Sequence, residues 1–400
     1  MKIIINTSTL KQDEFDLSPE FINNLVNEIA SQNQENHYIY FYPMKETLPR
    51  HKVLNNITYE PYRYWFTKKG QVIGRVGILQ SLRISKFNYI KVAFLLTSQF
   101  INLFLIVRKH KPDYIYSHWI FPQAFITSIV SKITKTEYVF TSHGSDVTLL
   151  SKFKPLGTII LKFVIRNAKK FTVVSQTNVE KISNLVSQDH YETKLKVIPM
   201  GIDDLFFKKN IPSTNSESTN FTYYGRLTEY KGVDLLIRAF KRSLEKDSNI
   251  FLTIIGQGNQ YSYLSNLVSD FQLQKNIKIL PFQNKDQLIG HIDRSDAVII
   301  PSIETEYEFE AGPLSAIESM ARKKICIVSD TIGFMSYIDS KSAIIFSSGS
   351  EDSLTSSISK FLDMNNKDRS DMILESAKIV EIFNFKNISK EHNDYLFKNS

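Results

Sequence analysis

Short apolar runs alternate along the chain with longer segments whose apolar positions recur every three or four residues, a pattern of βαβ units with a mostly parallel sheet. In the first half, strands are predicted at 3–5, 38–41, 114–116, 138–141, 171–174 and 196–198, and helices at 19–31, 91–110, 121–133, 155–168 and 176–187. A polar stretch at 208–220 (KKNIPSTNSESTN) reads as a linker. A second series follows, with strands at 221–224, 251–255, 277–280, 297–300, 325–328 and 343–346 and helices at 232–246, 260–272, 285–294, 313–322 and 351–364. The tail at 367–400 keeps helical periodicity without another strand. The pattern divides the chain into two α/β domains, at 1–205 and 206–375, and a helical segment at 376–400 expected to pack back toward the first domain. Two doubly wound α/β halves face each other across a cleft, and such sheets bind ligands outside the carboxyl ends of their strands.

At 400 residues, two cores of ordinary size are expected. The single cysteine, Cys326, leaves no disulfide framework and no cysteine zinc site, so a reducing, cytoplasmic setting is expected. The opening MKIIINTSTL lacks a basic leader and a long apolar run and reads as a first strand. The longest apolar stretch, 92–107, is interrupted by Thr97, Ser98, Gln99 and Asn102 and falls short of the roughly 20 residues of a spanning helix, so a soluble chain is expected. A net charge of +8 favours an anionic partner. No zinc-finger spacing, RNP-type aromatic motif or basic-region heptad pattern appears, so nucleic acid is not expected.

Candidate chemistry sits after the predicted strands. In ETEYEFEAGPLSAIESMA, Glu310 and Glu318 flank Gly312-Pro313, a helix start whose Leu314 and Ser315 N–H groups suit a diphosphate. Glu310 precedes the helix and Glu318 lies more than a turn inside it, so the carboxylates suit a hexose and a ribose respectively. With Glu304, Glu306 and Glu308 close by, an acidic surface helix reads the same way. In FTYYGRLTEYKGVDLLIRAF, Gly225 permits a turn, and Arg226 and Lys231 offer two cations for a departing diphosphate; exposed loop cations are the plainer alternative. TSHGSDV puts His143, Gly144 and Asp146 at another strand end, where a neutral imidazole suits a sugar hydroxyl and a lone histidine also suits a structural role. LTIIGQGNQ carries Gly256 and Gly258, but Tyr261 stands at the third glycine of a dinucleotide fingerprint, so NAD is not supported.

The series HGSD, VIPMGID, GRL-to-KG, IIGQG, PS with the following E-x7-E run, and ICIVSD occurs in the order that resembles the retaining glycosyltransferase family 4, of GT-B fold with two Rossmann-like domains, over about 112–330. The resemblance implies a UDP- or GDP-linked sugar donor in the C-terminal domain and no cofactor or bound metal; the Asp-x-Asp motif of metal-dependent transferases is absent. Arg226 and Lys231 would bind the diphosphate, Glu318 the ribose, and Glu310 with the following Ala311 backbone the sugar. Gly225, Gly256, Gly258, Phe282, Gly312, Pro313, Leu314 and Ser315 would complete the donor site, while His143 looks across the cleft at the sugar. His118 and Trp119 of an HW-x-x-P segment, with Gly144 and Asp146, would lie on the acceptor side. The glycine-rich loop many members carry after the first strand is replaced by LKQDEFDLSPEFINNL. Gln283, Lys323, Ile325, Phe334 and Tyr337 also depart from the usual residues, so nucleotide-base fit and loop shape are expected to differ.

Retention by front-face attack is implied, with the leaving phosphate taking the acceptor proton. A hexose-type sugar would pass to a glycan or polyprenyl-linked saccharide in cell-surface polysaccharide biosynthesis. The alternatives are a nucleotide-sugar epimerase or sugar-phosphate transferase of the same fold, or a nucleotide-sugar-binding protein without catalysis. Finally, YRYWFTKK mixes aromatics and cations, so Arg63, Trp65, Lys68 and Lys69 are expected to meet an anionic membrane surface, peripheral on its inner face, whereas 92–107 is expected to be a buried helix.

Overall fold

The computed structural model describes residues 1–8, 10, 20–44, 52–67, 71, 85–208, 218–305 and 309–398. Lys68 and Lys69 lie outside the described residues, as do Glu306 and Glu308. Two compact units are formed: Met1–Pro199 with Phe385–Ser400, and Met200–Asn384.

The first unit is built on β1 (Lys2–Asn6), β2 (His37–Pro43), β3 (Lys52–Leu54), β4 (Ile57–Tyr62), β5 (Tyr114–His118), β6 (Glu137–Ser142), β7 (Phe171–Val173) and β8 (Leu195–Val197). Their order is β3-β4-β2-β1-β5-β6-β7-β8, parallel throughout except for the β3–β4 pair. The run Ile3-Ile4-Ile5 is buried, as a strand between two parallel neighbours requires. The helices are α1 (Phe21–Gln32), α2 (Asn88–His110), α3 (Phe125–Thr134), α4 (Ser145–Lys152), α5 (Leu156–Asn167) and α6 (Gln176–Ser183). Every strand expected in this half forms. The β3–β4 hairpin goes beyond the pattern, because Asn55 turns with φ of 53° in a polar stretch and Pro61 interrupts the apolar alternation. Helix α4 is also additional; at eight residues it is too short to show a clear period. The helix expected from 121 begins at Phe125, after a π turn over Ile120–Ala124.

Helix α2 overturns two expectations. It runs 23 residues, from Asn88 to the expected end at His110, and is long and apolar enough to cross a membrane by length and composition, whereas its apolar stretch at 92–107 was expected to fall short. It is also not a buried helix, since only 28% of its most apolar stretch is covered.

The second unit contains β9 (Thr219–Tyr224), α7 (Val233–Lys246), β10 (Ile250–Ile255), α8 (Tyr261–Asp270), β11 (Ile277–Leu280), α9 (Lys285–Arg294), β12 (Ala297–Ile300), α10 (Leu314–Ala321), β13 (Ile325–Ser329), β14 (Ile344–Phe346), α11 (Glu351–Asp363) and α12 (Asn366–Val380). Its parallel sheet has the order β11-β10-β9-β12-β13-β14. Side chains alternate between two cores: Tyr223, Ile254 and Ile299 face α7, α8 and α11, whereas Tyr224, Ile255 and Ile300 face α10 and α12. Thr219 and Asn220 belong to β9, so the linker is shorter than expected, and 209–217 lie outside the described residues.

The unit boundaries differ from 205/206 and 375/376. Ile202 and Phe206 enter the second core, and the Ile202 N–H donates to the Phe383 carbonyl at 2.9 Å. The tail divides at Asn384: α12 belongs to the second unit, and α13 (Phe385–Phe397) belongs to the first. There Gln32 of α1 donates to Ser389 Oγ at 2.9 Å, and Phe397 meets Tyr114 and Tyr116 edge-on.

Arg322, at the end of α10, donates to both Asp293 carboxylate oxygens, at 2.8 and 2.5 Å, with the pair only 3% and 9% exposed. Removing the cation strands a buried carboxylate, so Arg322→Ala is expected to lower unfolding stability by about 3–5 kcal/mol. Urea unfolding read through the second unit checks this, and a loss below about 1 kcal/mol contradicts it. His392 of α13 is fully buried, its Nδ1–H donates to the Ile388 carbonyl at 3.0 Å, and burial holds its pKa down at about 4. Its folded pKa lies below the unfolded 6.5, so its contribution is full above 6.5 and is lost as pH falls toward 4. Thermal unfolding is expected to show about 2–3 kcal/mol less acid destabilisation between pH 6.5 and 4.5 in His392→Leu than in the parent. Identical acid profiles for the two proteins refute it.

Candidate active site

In the second unit, the loops after β9, β10 and β12 leave neighbouring strand ends. The first loop is fastened to both others by its backbone. Leu227 N–H donates to the Gln257 carbonyl at 2.9 Å and Ile303 N–H to the Tyr230 carbonyl at 2.8 Å. A Cβ on Gly256 or Gly258 would meet the carbonyls of Gly225 and Leu227, so these two glycines act as spacers that let the loops close up. Gly232 takes φ of 63° at the start of α7, packed on the Pro301 carbonyl, a position only glycine fills without strain.

This fastening brings Lys231 Nζ onto Glu310 Oε2, while Ser302 Oγ donates to the same oxygen at 3.3 Å. The pair is mostly buried, with 14% and 10% side-chain exposure. Burial alone would lower the Lys231 pKa; Glu310 beside it outweighs that and leaves the pKa raised, so the ammonium persists at neutral pH. Arg226 is exposed and donates through Nη2 to Tyr230 Oη, and the Tyr230 ring lies 5.7 Å from the guanidinium and 5.2 Å from Lys231 Nζ. One tyrosine therefore supports both cations.

Consecutive tyrosines of β9 serve opposite faces of the sheet. Tyr223 Oη donates to the Arg226 carbonyl at 2.8 Å on one sheet face. Tyr224 Oη on the other lies 3.2 Å from Glu318 Oε2, 2.8 Å from the Ser315 carbonyl and 3.1 Å from Ser319 Oγ. Burial foremost raises both phenols well above their usual pKa, so both remain donors. Pro313 proves to be the N-cap, with ψ of 97°, and Leu314 the first helical residue. Leu314 and Ser315 then carry first-turn N–H groups that have no carbonyl a turn earlier. Gly312 packs so closely on the Phe334 ring that a Cβ there would collide with it, and the ring in turn packs against Tyr337 and Phe383. Phe334 is thus a buried support under the Ala311–Gly312 loop. Phe282 follows β11 and is 45% exposed.

In the first unit, His118 ends β5 and shares a 3.1 Å hydrogen bond, Nδ1 to Nε2, with His143 after β6. One ring must accept, so at least one is neutral. Burial holds the His143 pKa at about 3 and His118 well below its usual value. The His143 ring lies 5.0 Å from Phe21 and 5.1 Å from Trp119. Trp119 adopts φ of 73°, rare for an L residue, and its N–H donates to the Thr141 carbonyl at 2.9 Å. Asp146 is buried and accepts from Ile120 N–H, Ser142 Oγ, Gly144 N–H and Val147 N–H at 2.7 to 3.1 Å. It ties the loop that carries His143, with Gly144 at φ of 98° making the bend.

The structure therefore gathers Arg226, Lys231 and Glu310 in one cluster, puts Glu318 with Tyr224, and pairs His118 with His143. Tyr223, Tyr224, Tyr230 and Ser302 escaped the sequence reading; the aromatic pair before Gly225 and the tyrosine beside Lys231 were its available signal.

Glycosyl transferases group 1 matches residues 205–378, and Glycosyltransferase Family 4 matches 24–204. The uncharacterized glycosyltransferase MJ1607 of Methanocaldococcus jannaschii is 26% identical over 285 residues, 66% of this chain and 70% of its own. The amylovoran biosynthesis glycosyltransferase AmsK of Erwinia amylovora is 26% identical over 129 residues, 32% of each chain. With MJ1178 of M. jannaschii the match covers 58% of that relative's length, so the chain spans little more than half of some relatives. The crystal structure of Anabaena HepE in complex with UDP has a TM-score of 0.74 at 15% identity, covering 99% of both chains. With family matches adjoining at residues 204 and 205 and two parallel-sheet α/β units of the GT-B fold, the chain belongs to glycosyltransferase family 4.

Proposed function

We propose that this chain is a retaining, metal-independent glycosyltransferase that moves a hexose-type sugar from a UDP- or GDP-linked donor to a glycan or polyprenyl-linked saccharide. The reaction is assigned to cell-surface polysaccharide synthesis at the cytoplasmic face of the membrane. The observation that carries the reading is the cluster in which Lys231 is locked against Glu310 and Arg226 is held by Tyr230, in the unit that also holds the α10 start. Departure of a nucleoside diphosphate develops negative charge on phosphate oxygen, and a fixed, poorly hydrated ammonium stabilises that charge more than a mobile one in water. Exposed Arg226 meets the diphosphate first and Lys231 acts from beneath.

The diphosphate draws on the Lys231 charge, and Glu310 orients the sugar hydroxyls. Glu318, held by Tyr224, takes the ribose. On the front face, the new bond from the acceptor hydroxyl to the anomeric carbon forms as the bond to the leaving phosphate breaks, and that phosphate oxygen takes the hydroxyl proton. His143 serves as a neutral hydrogen-bond partner for a sugar hydroxyl, in keeping with its depressed pKa. The UDP and UDP-glucose complexes of HepE support a nucleotide-sugar donor, and the name of AmsK supports polysaccharide synthesis.

A thermal-shift screen is expected to show stabilisation by UDP- or GDP-sugars that is lost in Lys231→Ala, since only ligands of the folded state raise the midpoint. No shift with any nucleotide sugar sinks the donor reading. For Glu310→Gln, turnover is expected to fall about 100-fold or more while nucleotide affinity changes little. Unchanged turnover removes Glu310 from the sugar site, and donor conversion without an acceptor points to an epimerase.

A further inference from the structure

Helix α2 buries one side and leaves the other bare. Leu95, Leu103, Ile106 and Val107 enter the core of the first unit, and buried Gln99 donates to Asn6 Oδ1 at 3.0 Å. On the opposite side Ile90, Phe94, Ile101 and Leu105 form a line at helical spacing, continued at the N-terminal end by Phe87 and Phe66. These six are 42% to 75% exposed. Trp65 is half-buried and holds the group together, meeting Phe87 and Phe94 edge-on at 5.9 and 5.3 Å.

Within α2 and its flanking residues the charge has one sign. From 85 to 111 the sequence has five Lys or Arg and no Asp or Glu. Lys109 pairs with Glu60 at 3.4 Å, and Lys91 lies over Trp65 at 5.5 Å. Lys86, Arg108 and Lys111 are exposed near the two ends of the helix. A second copy of this face would bring cations against cations in either orientation, with no carboxylate in the segment to match them. A spanning role would require tearing α2 from the core that its other side completes. An anionic interface meets both features: acyl chains cover the stripe and headgroup phosphates meet the cations.

We propose that the outer face of α2, with Phe66 and Phe87, beds into the interfacial layer of an anionic bilayer, the helix axis lying in the membrane plane. This moves the membrane contact from the loop cations to the apolar helix face, with Trp65 as its support. It deepens the reading of a lipid-linked acceptor and rests on that reading only for its purpose.

The test is flotation of the full chain with vesicles of equal parts phosphatidylcholine and phosphatidylglycerol, without nucleotide sugar or acceptor. The parent protein is expected to float with these vesicles, less so at high salt, and to remain behind with pure phosphatidylcholine. The triple variant Phe94→Ser, Ile101→Ser, Leu105→Ser is expected to partition about tenfold more weakly or worse with its thermal midpoint retained, because the three side chains are exposed. Lys86→Glu with Arg108→Glu is expected to weaken binding about tenfold as well. Absence of flotation by the parent, or equal flotation by the triple variant, overturns the proposal. So does a concentration-dependent dimer that the triple variant abolishes, since the face would then be an interface between copies. UDP-sugar stabilisation measured on the same preparations separates the readings: flotation without nucleotide binding defeats the donor assignment alone, and nucleotide binding without flotation defeats this proposal alone.

Discussion

The candidate donor site depends on one buried ion pair, Lys231 with Glu310. An ammonium withdrawn from water without a partner costs several kcal/mol, and a carboxylate costs as much; together, with Ser302 and Tyr230 alongside, they recover most of it. The pair can form only if the loops after β9 and β12 approach within side-chain reach. That explains the crowded backbone around it: Gly232 on the Pro301 carbonyl, Gly256 and Gly258 under the first loop, and the Tyr230 carbonyl held by Ile303. These backbone contacts hold the loops against one another, and a preorganised site lowers the ordering cost of binding.

The two units treat titratable groups in opposite ways, and the difference is pairing. His118 and His143 are surrounded by aromatic rings and by each other, and burial drives both toward the neutral form. Lys231 experiences burial too, but Glu310 reverses the sign. The first unit therefore offers an uncharged donor or acceptor, whereas the second retains full cationic charge. Hydroxyl recognition needs the former, and stabilising a departing diphosphate needs the latter.

Most strands are legible in the sequence because central parallel strands are continuous apolar runs, and the order of the motifs identifies the family. What escaped was decided by neighbours distant along the chain. Tyr230 matters through the two cations it supports, and Asp146, expected on the acceptor side, ties its own loop through four internal hydrogen bonds. Gly256 and Gly258, expected in the donor site, also pass close to the Gly225 and Leu227 carbonyls, which spacing alone does not reveal. Helix α2 was misread for a related reason: an apolar run does not reveal whether both of its sides are covered. The tail's periodicity was visible, but not that Phe383 and Phe385 would enter different cores.

One departure from the family pattern has a visible packing role. Phe334 and Tyr337 are among the residues expected to change nucleotide-base fit and loop shape, and the Phe334 ring packs against Gly312 and Phe383, one residue before the chain leaves the second unit. The height of the Ala311–Gly312 backbone, and with it the entry into α10, is thus set by an aromatic stack rooted in the segment after α12. A smaller side chain at 334 removes that support while leaving Glu310 and Lys231 untouched in sequence. The position of the sugar-side loop is therefore a packing property of this chain, and the ionic cluster beside it is the part that resembles the family.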